Sequence, residues 1–204
     1  MSPTRAYRPR RRPQSTGTRE RIVAAVCELL EEGVFHEATV EEVADRAGVA
    51  RATLYQHFGS RLGLVDAVCE TIAQSPELRA ARGAGELADV DVALGEVVGS
   101  SVRFWAAHER LLEPLYGVAA VDPAAARLVE RQRRDRTSVL ARFARRLHRE
   151  RRLAGGVGEQ RALALLLVVT SFETYLELRR HAGLAERQVV RTLHGWARTS
   201  LLAG

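Results

Sequence analysis

Apolar residues recur along this chain at three- and four-residue spacing, with no stretch of strict alternation, so the pattern predicts helices throughout and no strands. After an amphipathic segment over residues 18–35, Thr39 followed three positions later by Glu42 forms a capping box. In it the hydroxyl and the carboxylate satisfy orphan amides at a helix start. Val40, Val43, Ala44 and Ala47 then give that helix an apolar face, and Gly48 suits the left-handed turn that ends it. A second helix, about residues 50–57, buries Leu54 and Phe58 and turns Arg51, Thr53, Tyr55, Gln56 and His57 elsewhere. Gly59 stops it, and Ser60 can cap a third helix opened by Arg61, whose Leu62, Leu64, Val65 and Val68 carry it to about residue 74. Two short helices joined by a tight turn, with hydrogen-bonding side chains on the outer face of the second, suit a DNA major groove.

Beyond this head the periodicity stays helical. Residues 75–88, with Pro76, Gly83 and Gly85, read as a loop. Helices follow over about 89–109, 111–118, 123–152, 158–181 and 186–202, punctuated by Pro114, Gly117, Pro123, the glycines at 155, 156 and 158, and Gly183. The predicted fold is therefore all-α, an N-terminal helix-turn-helix head on a helical body. Residues 165–169 are apolar on every side, so their helix needs a second neighbour beyond its own domain. With roughly eleven apolar residues it falls short of the about twenty that span a bilayer, and another copy of the chain is the expected neighbour.

Residues 39–64, preceded by 18–35, resemble the DNA-binding half of the tetracycline-repressor (TetR) family, most specifically in the run Leu54, Tyr55, Gln56, His57, Phe58. The resemblance implies that Tyr55 and His57 touch the phosphate backbone, that Arg51, Ala52 and Thr53 read bases with Gln56 beside them, and that Arg61 clamps a phosphate. Thr39 completes the DNA-contacting set. This chain departs from the family at Ala50, where a capping Ser or Thr is usual, which weakens the second helix's cap by about 1 kcal/mol. Arg61 replaces the more usual Lys and keeps the charge.

The same resemblance implies a homodimer packed through the last two long helices, with Leu166, Val169, Leu193 and Trp196 as candidate interface residues, reading the two halves of a near-palindromic double-stranded operator. It also implies a pocket in the body for a small-molecule effector that releases a repressor from DNA. Trp105, His108, Tyr116, Phe143, Phe172 and Tyr175 are the candidates to line it, since such sites are mainly apolar with a few polar groups. For each of them ordinary core packing is the competing reading. The implied organisation is a disordered basic arm over residues 1–15, a DNA-binding domain over 16–62, and an effector-binding and dimerisation domain over 63–204.

Charge sharpens this picture in two places. All 31 basic residues are arginine against 25 acids, which favours a polyanionic partner. Seven arginines against one glutamate fall in residues 1–21, where Pro3, Pro9 and Pro13 keep the chain extended to about Ser15. Such an arm either follows the DNA backbone and inserts Arg into the minor groove or is a solvated tail. Eleven arginines against three acids fall in residues 127–152, threaded by Val129, Val139, Leu140, Phe143, Leu147 and Leu153. This reads as a long amphipathic helix with a solvated basic face, with nucleic-acid or anionic-ligand binding as the alternative.

Other chemistry finds no motif. There is no nucleophile elbow, phosphate-binding loop or His-Glu-Xaa-Xaa-His, so no catalytic residue, enzyme activity or cofactor is expected. Histidines 36, 57, 108, 148, 181 and 194 show no metal-ligand spacing. Cys27 and Cys69 fall on apolar faces, reading as buried thiols in a reducing cytoplasm, with a redox switch as the alternative. No signal peptide follows the basic start, and no membrane association is expected. The rival to a DNA-binding regulator is a helical small-molecule sensor whose head docks a protein.

Overall fold

The computed structural model describes residues 13–203, with side chains from residue 17 onward. Residues 1–12, most of the predicted basic arm, lie outside the described residues. The chain forms two compact units that divide between Cys69 and Glu70.

The first unit holds α1 (Pro13–Glu31), α2 (Val40–Arg46), α3 (Arg51–Phe58) and most of α4 (Arg61–Ala73). Helix α1 opens at Pro13 rather than after Ser15; proline at a first helical position lacks only an amide that has no helical partner there. Ile22, Val26 and Leu30 of α1, Val43 of α2, Leu54 of α3 and Leu64 of α4 are all fully buried. At roughly 2 kcal/mol for each such side chain, this cluster is the main force closing the unit. The capping box is present: Thr39 N donates to Glu42 Oε2 at 2.6 Å, and Glu42 N donates to Thr39 Oγ1 at 3.2 Å. The bonds that the Thr39 backbone amide and, second, the Thr39 hydroxyl donate to the Glu42 carboxylate hold that carboxyl below its ordinary range. Gly48 turns the chain with φ of 62°, a conformation glycine adopts without a Cβ penalty. Ala50 leaves α3 with no side-chain cap.

The second unit holds α5 (Pro76–Ala84), α6 (Val90–Val121), α7 (Pro123–Arg149), α8 (Glu159–Val169), α9 (Phe172–Leu176), a π-helical turn at Glu177–His181, and α10 (Glu186–Leu201). Helix α6 is its centre, packing against α5, α7 and α10, while α8 packs against α7 and α10. Residues 153 and 202 form an isolated antiparallel bridge, and Ala154 N donates to Leu201 O at 2.8 Å.

Three expectations about elements are corrected. Residues 76–84 form a helix, not a loop: Ser75 Oγ accepts from Leu78 N at 3.3 Å and Pro76 takes the first turn, so the residues read as breakers are start signals. Helix α6 runs unbroken through Pro114, because Leu111, Leu112 and Leu115 continue the buried stripe of Phe104 and Trp105. Residues 158–181 are interrupted at Thr170. There Thr170 Oγ1 bonds back to Leu166 O at 2.7 Å, and Ser171 Oγ accepts from Thr174 N at 3.1 Å to start α9. The carbonyl freed at Thr170 accepts from Trp105 Nε1 at 3.0 Å and from Arg136 Nη1 at 2.7 Å, which sews the break to α6 and α7.

Candidate nucleic-acid interface

Helix α3 presents Arg51, Ala52, Tyr55, Gln56 and His57 to solvent, with Thr53 half-buried and Leu54 facing the core. Positions 51, 52, 55 and 56 share one side of the helix, as their spacing requires. Tyr55 is 39% exposed on this helix. Thr39 is exposed at the start of α2, but its hydroxyl is occupied by the capping box.

Two arginines of the predicted set are engaged in ways the sequence did not indicate. The Arg51 guanidinium pairs with Glu41 of α2 and lies 5.4 Å from the centroid of the Tyr55 ring. Both its bond to Tyr55 and the Glu41 charge hold the Arg51 proton more tightly than usual. An incoming base edge or phosphate must therefore compete with Glu41. No local spacing links position 41 to position 51, so only the folded turn brings them together.

Arg61, which the resemblance implies clamps a phosphate, is also engaged within the head. Its two terminal nitrogens donate to the carbonyls of Phe35 and Ala38, and its guanidinium lies over the Phe35 ring at 4.3 Å. These carbonyls belong to the connection between α1 and α2, which has no helical ladder of its own to satisfy them. The planar fork of arginine meets two acceptors at once, which an ammonium cannot do in that geometry. In this arrangement Arg61 is a brace of the head.

The body candidates separate into two groups. Trp105 and Phe172 have ring centroids 5.2 Å apart, Tyr116 and Phe172 5.5 Å, and Phe172 and Tyr175 6.2 Å. Phe104 joins His108 at 5.0 Å to the same cluster. Burial, assisted by the bond from its hydroxyl to Glu109 at 2.8 Å, pushes the Tyr175 phenol up to about 12. Burial likewise lowers the His108 imidazole from its ordinary range, opposed by the Glu77 carboxylate 4.0 Å away. These rings fill space against one another. Phe143 stands apart, buried on α7 in the lining of a groove between α5, α6 and α7.

Three of the four interface candidates lie inside the chain's own core. Leu166, Val169 and Leu193 are fully buried within this single chain, so they belong to the core formed by α8, α10 and their neighbours. Trp196 is 51% exposed on α10, and Val168, next to Val169, is 57% exposed on α8. Among the described residues, no group of histidine, cysteine and carboxylates is placed to hold a metal, and no helix is long and apolar enough to cross a membrane. Desolvation raises the Cys27 thiol to about 11, which disfavours the reactive thiolate.

Comparison with known proteins agrees with this geometry. Residues 22–68 match the sequence profile of bacterial regulatory proteins of the tetR family. Over 52 residues the chain is 42% identical to the HTH-type transcriptional activator FasR of Mycolicibacterium smegmatis, a match covering 26% of this chain and 24% of that protein. The chain thus matches about a quarter of the length of that curated relative. Native NalD of Pseudomonas aeruginosa, the secondary repressor of the MexAB-OprM multidrug efflux pump, superposes with a TM-score of 0.68 at 20% identity, over 92% of this chain and 98% of that one. FadR of Bacillus subtilis, solved in complex with stearoyl-CoA, superposes with a TM-score of 0.71 at 14% identity, over 87% and 96% of the two chains. At these identities the structural likeness shows a shared fold.

Proposed function

We propose that this chain is a dimeric transcriptional repressor of the TetR family that binds a near-palindromic operator through α3 and is released from it by a small-molecule effector. The observation that carries the DNA-binding reading is the exposed face of α3. Arg51, Tyr55, Gln56 and His57 point away from the core on a helix too short to need them for packing, inside the stretch that matches the family. Arg51 with Ala52, Thr53 and Gln56 would meet base edges, and Tyr55 and His57 the backbone. The basic arm ahead of α1 adds sequence-independent attraction.

The body supports the effector reading through its fold, which is shared with NalD and FadR. Release by a factor of a hundred requires a coupling free energy of about 2.7 kcal/mol between the two sites, an ordinary magnitude for linked binding.

Selection of bound duplexes from a randomised pool, followed by measurement of affinity against salt, tests the proposal. The expected outcome is an enriched inverted repeat with a steep salt slope. Changing Arg51 should alter the enriched sequence, while Tyr55→Ala should weaken all duplexes about equally. Weak binding without enrichment would instead make the head a protein-docking element.

A further inference from the structure

Glu41 and Glu42 stand side by side in the first turn of α2 and are engaged differently. The Glu42 carboxylate is occupied by the capping box, where it accepts from the Thr39 amide at 2.6 Å and from the Thr39 hydroxyl at 3.0 Å. Glu41 takes no part in that cap. Its carboxylate pairs instead with Nη1 of Arg51, the first residue of α3. Tyr55, one turn further along α3, presents its ring to the same guanidinium at 5.4 Å. Arg51 is thus held from two sides, by a carboxylate of α2 and by an aromatic ring of its own helix.

Stability gives little reason for this arrangement. The side chains of Arg51 and Glu41 are 59% and 50% exposed, and a pair so open to water contributes little to folding. A carboxylate beside the proposed base-reading helix also repels the phosphates that supply sequence-independent affinity. That repulsion falls unequally on the partners Arg51 can meet, although both compete with Glu41. A phosphate brings a full negative charge beside the carboxylate. A guanine edge brings O6 and N7, which are uncharged acceptors and can take the remaining donors of the five-donor guanidinium. Holding the side chain before DNA arrives further reduces the rotamer freedom lost on binding.

We propose that Glu41 is a specificity-determining residue of the head, which positions Arg51 for a base edge, guanine first among them, and denies it to phosphates. The inference rests on the reading of α3 as the base-reading helix and deepens it with a positioning residue from α2. Glu41 weakens binding to random duplex and so widens the gap between operator and random DNA, the quantity that decides occupancy among many competing sites.

The test uses the full chain, the duplex selected by the parent, its single-base-pair variants and a random duplex, each titrated at several salt concentrations. The proteins are the parent, Glu41→Gln, Arg51→Ala and the double variant. Glutamine keeps the size and hydrogen bonding of glutamate and removes the charge. The base pair that Arg51 reads is the one whose preference Arg51→Ala loses. Glu41→Gln should bind random duplex about fivefold more tightly, with a salt slope steeper by about one. Its preference at the base pair read by Arg51 should fall about fivefold, a loss within the range of one mismatched pair. With Arg51 already replaced by alanine, Glu41→Gln should change no base preference, because its effect passes through Arg51.

An equal gain on every duplex overturns the proposal, since Glu41 would then act only as a general charge. A change of preference that persists without Arg51 overturns it too, by making Glu41 a reader in its own right. So does an Arg51→Ala chain that keeps every preference, or a Glu41→Gln chain that loses its thermal unfolding transition, which would make Glu41 structural. A parent that enriches no sequence removes the reading of α3 and this inference with it. An enriched repeat that Glu41→Gln recognises as the parent does removes the inference alone and leaves the regulator.

Discussion

Arg61 shows how one side chain can serve two structural demands that the sequence presents as a binding role. Its fork closes the connection between α1 and α2 by satisfying Phe35 and Ala38, and its position over the Phe35 ring adds a cation–π contact. Arg61→Ala leaves two part-buried carbonyls unsatisfied, at a cost of about 1–3 kcal/mol. Arg61→Lys should recover only part of that loss. Denaturant titration of the variants checks this, and an unchanged midpoint for Arg61→Ala would return the residue to a role in phosphate contact alone. His108 carries a second prediction at this scale. Burial lowers its folded pKa below the unfolded value of about 6.5, so the folded state prefers the neutral ring. That contribution is complete above the unfolded pKa and is lost as pH falls through it toward the folded value. His108→Gln should therefore lose less stability than the parent between about pH 7.5 and 5.5. Parallel pH curves for the two proteins would refute the assignment.

At the scale of elements, the helices were legible wherever cap, apolar spacing and stop coincide. Thr39, Glu42 and Gly48 delimit α2 in the sequence as they do in the structure. Where one residue type has two meanings, the sequence was ambiguous: Pro76 behind Ser75 starts a helix although proline and glycine near it suggested a loop. Pro114 reads as a stop, yet α6 continues because its buried stripe does not change face. Ala50 precedes α3, and Gly63 lies in the first turn of α4. Ala50→Ser should give α3 its missing cap and raise stability by about 1 kcal/mol, measured by thermal unfolding; no gain would mean that the serine cannot reach the α3 amides. Gly63 had no visible signal, because its requirement is a close approach. A Cβ there would strike the carbonyl of Phe58 at the turn between α3 and α4. Gly63→Ala should therefore destabilise the head despite alanine's better helix propensity, by more than the roughly 1 kcal/mol that propensity returns. A stabilised variant would show that this turn opens freely. The site was legible in the same partial way: the outer face of α3 follows from spacing alone, but the pairing of Arg51 with Glu41 depends on the angle of the turn.

For the whole molecule, the apolar helix over residues 165–169 called for a second neighbour, and the structure divides that demand. Leu166 and Val169 meet the chain's own core, while Val168 stays 57% exposed on α8 and Trp196 51% exposed on α10. Ala164 is exposed and Leu165 half-buried one turn before Val168, and half-buried Thr192 and Gly195 flank Trp196, so each helix turns a small, mostly apolar strip outward. Because α8 and α10 pack together, the proposed dimer would use these strips, with each strip meeting its own equivalent across a two-fold axis. A large aromatic near the centre of such a patch is the usual energetic anchor. Val168→Asp combined with Trp196→Glu places four carboxylates in the dimer's interface, two from each copy, and should convert it to a folded monomer in sedimentation equilibrium. Since two half-sites are then no longer held by one particle, affinity for a full inverted repeat should fall at least a hundredfold, while affinity for a single half-site stays the same. A variant that remains dimeric would place the interface elsewhere on the body. A monomer that keeps full operator affinity would show that each chain reads its site alone.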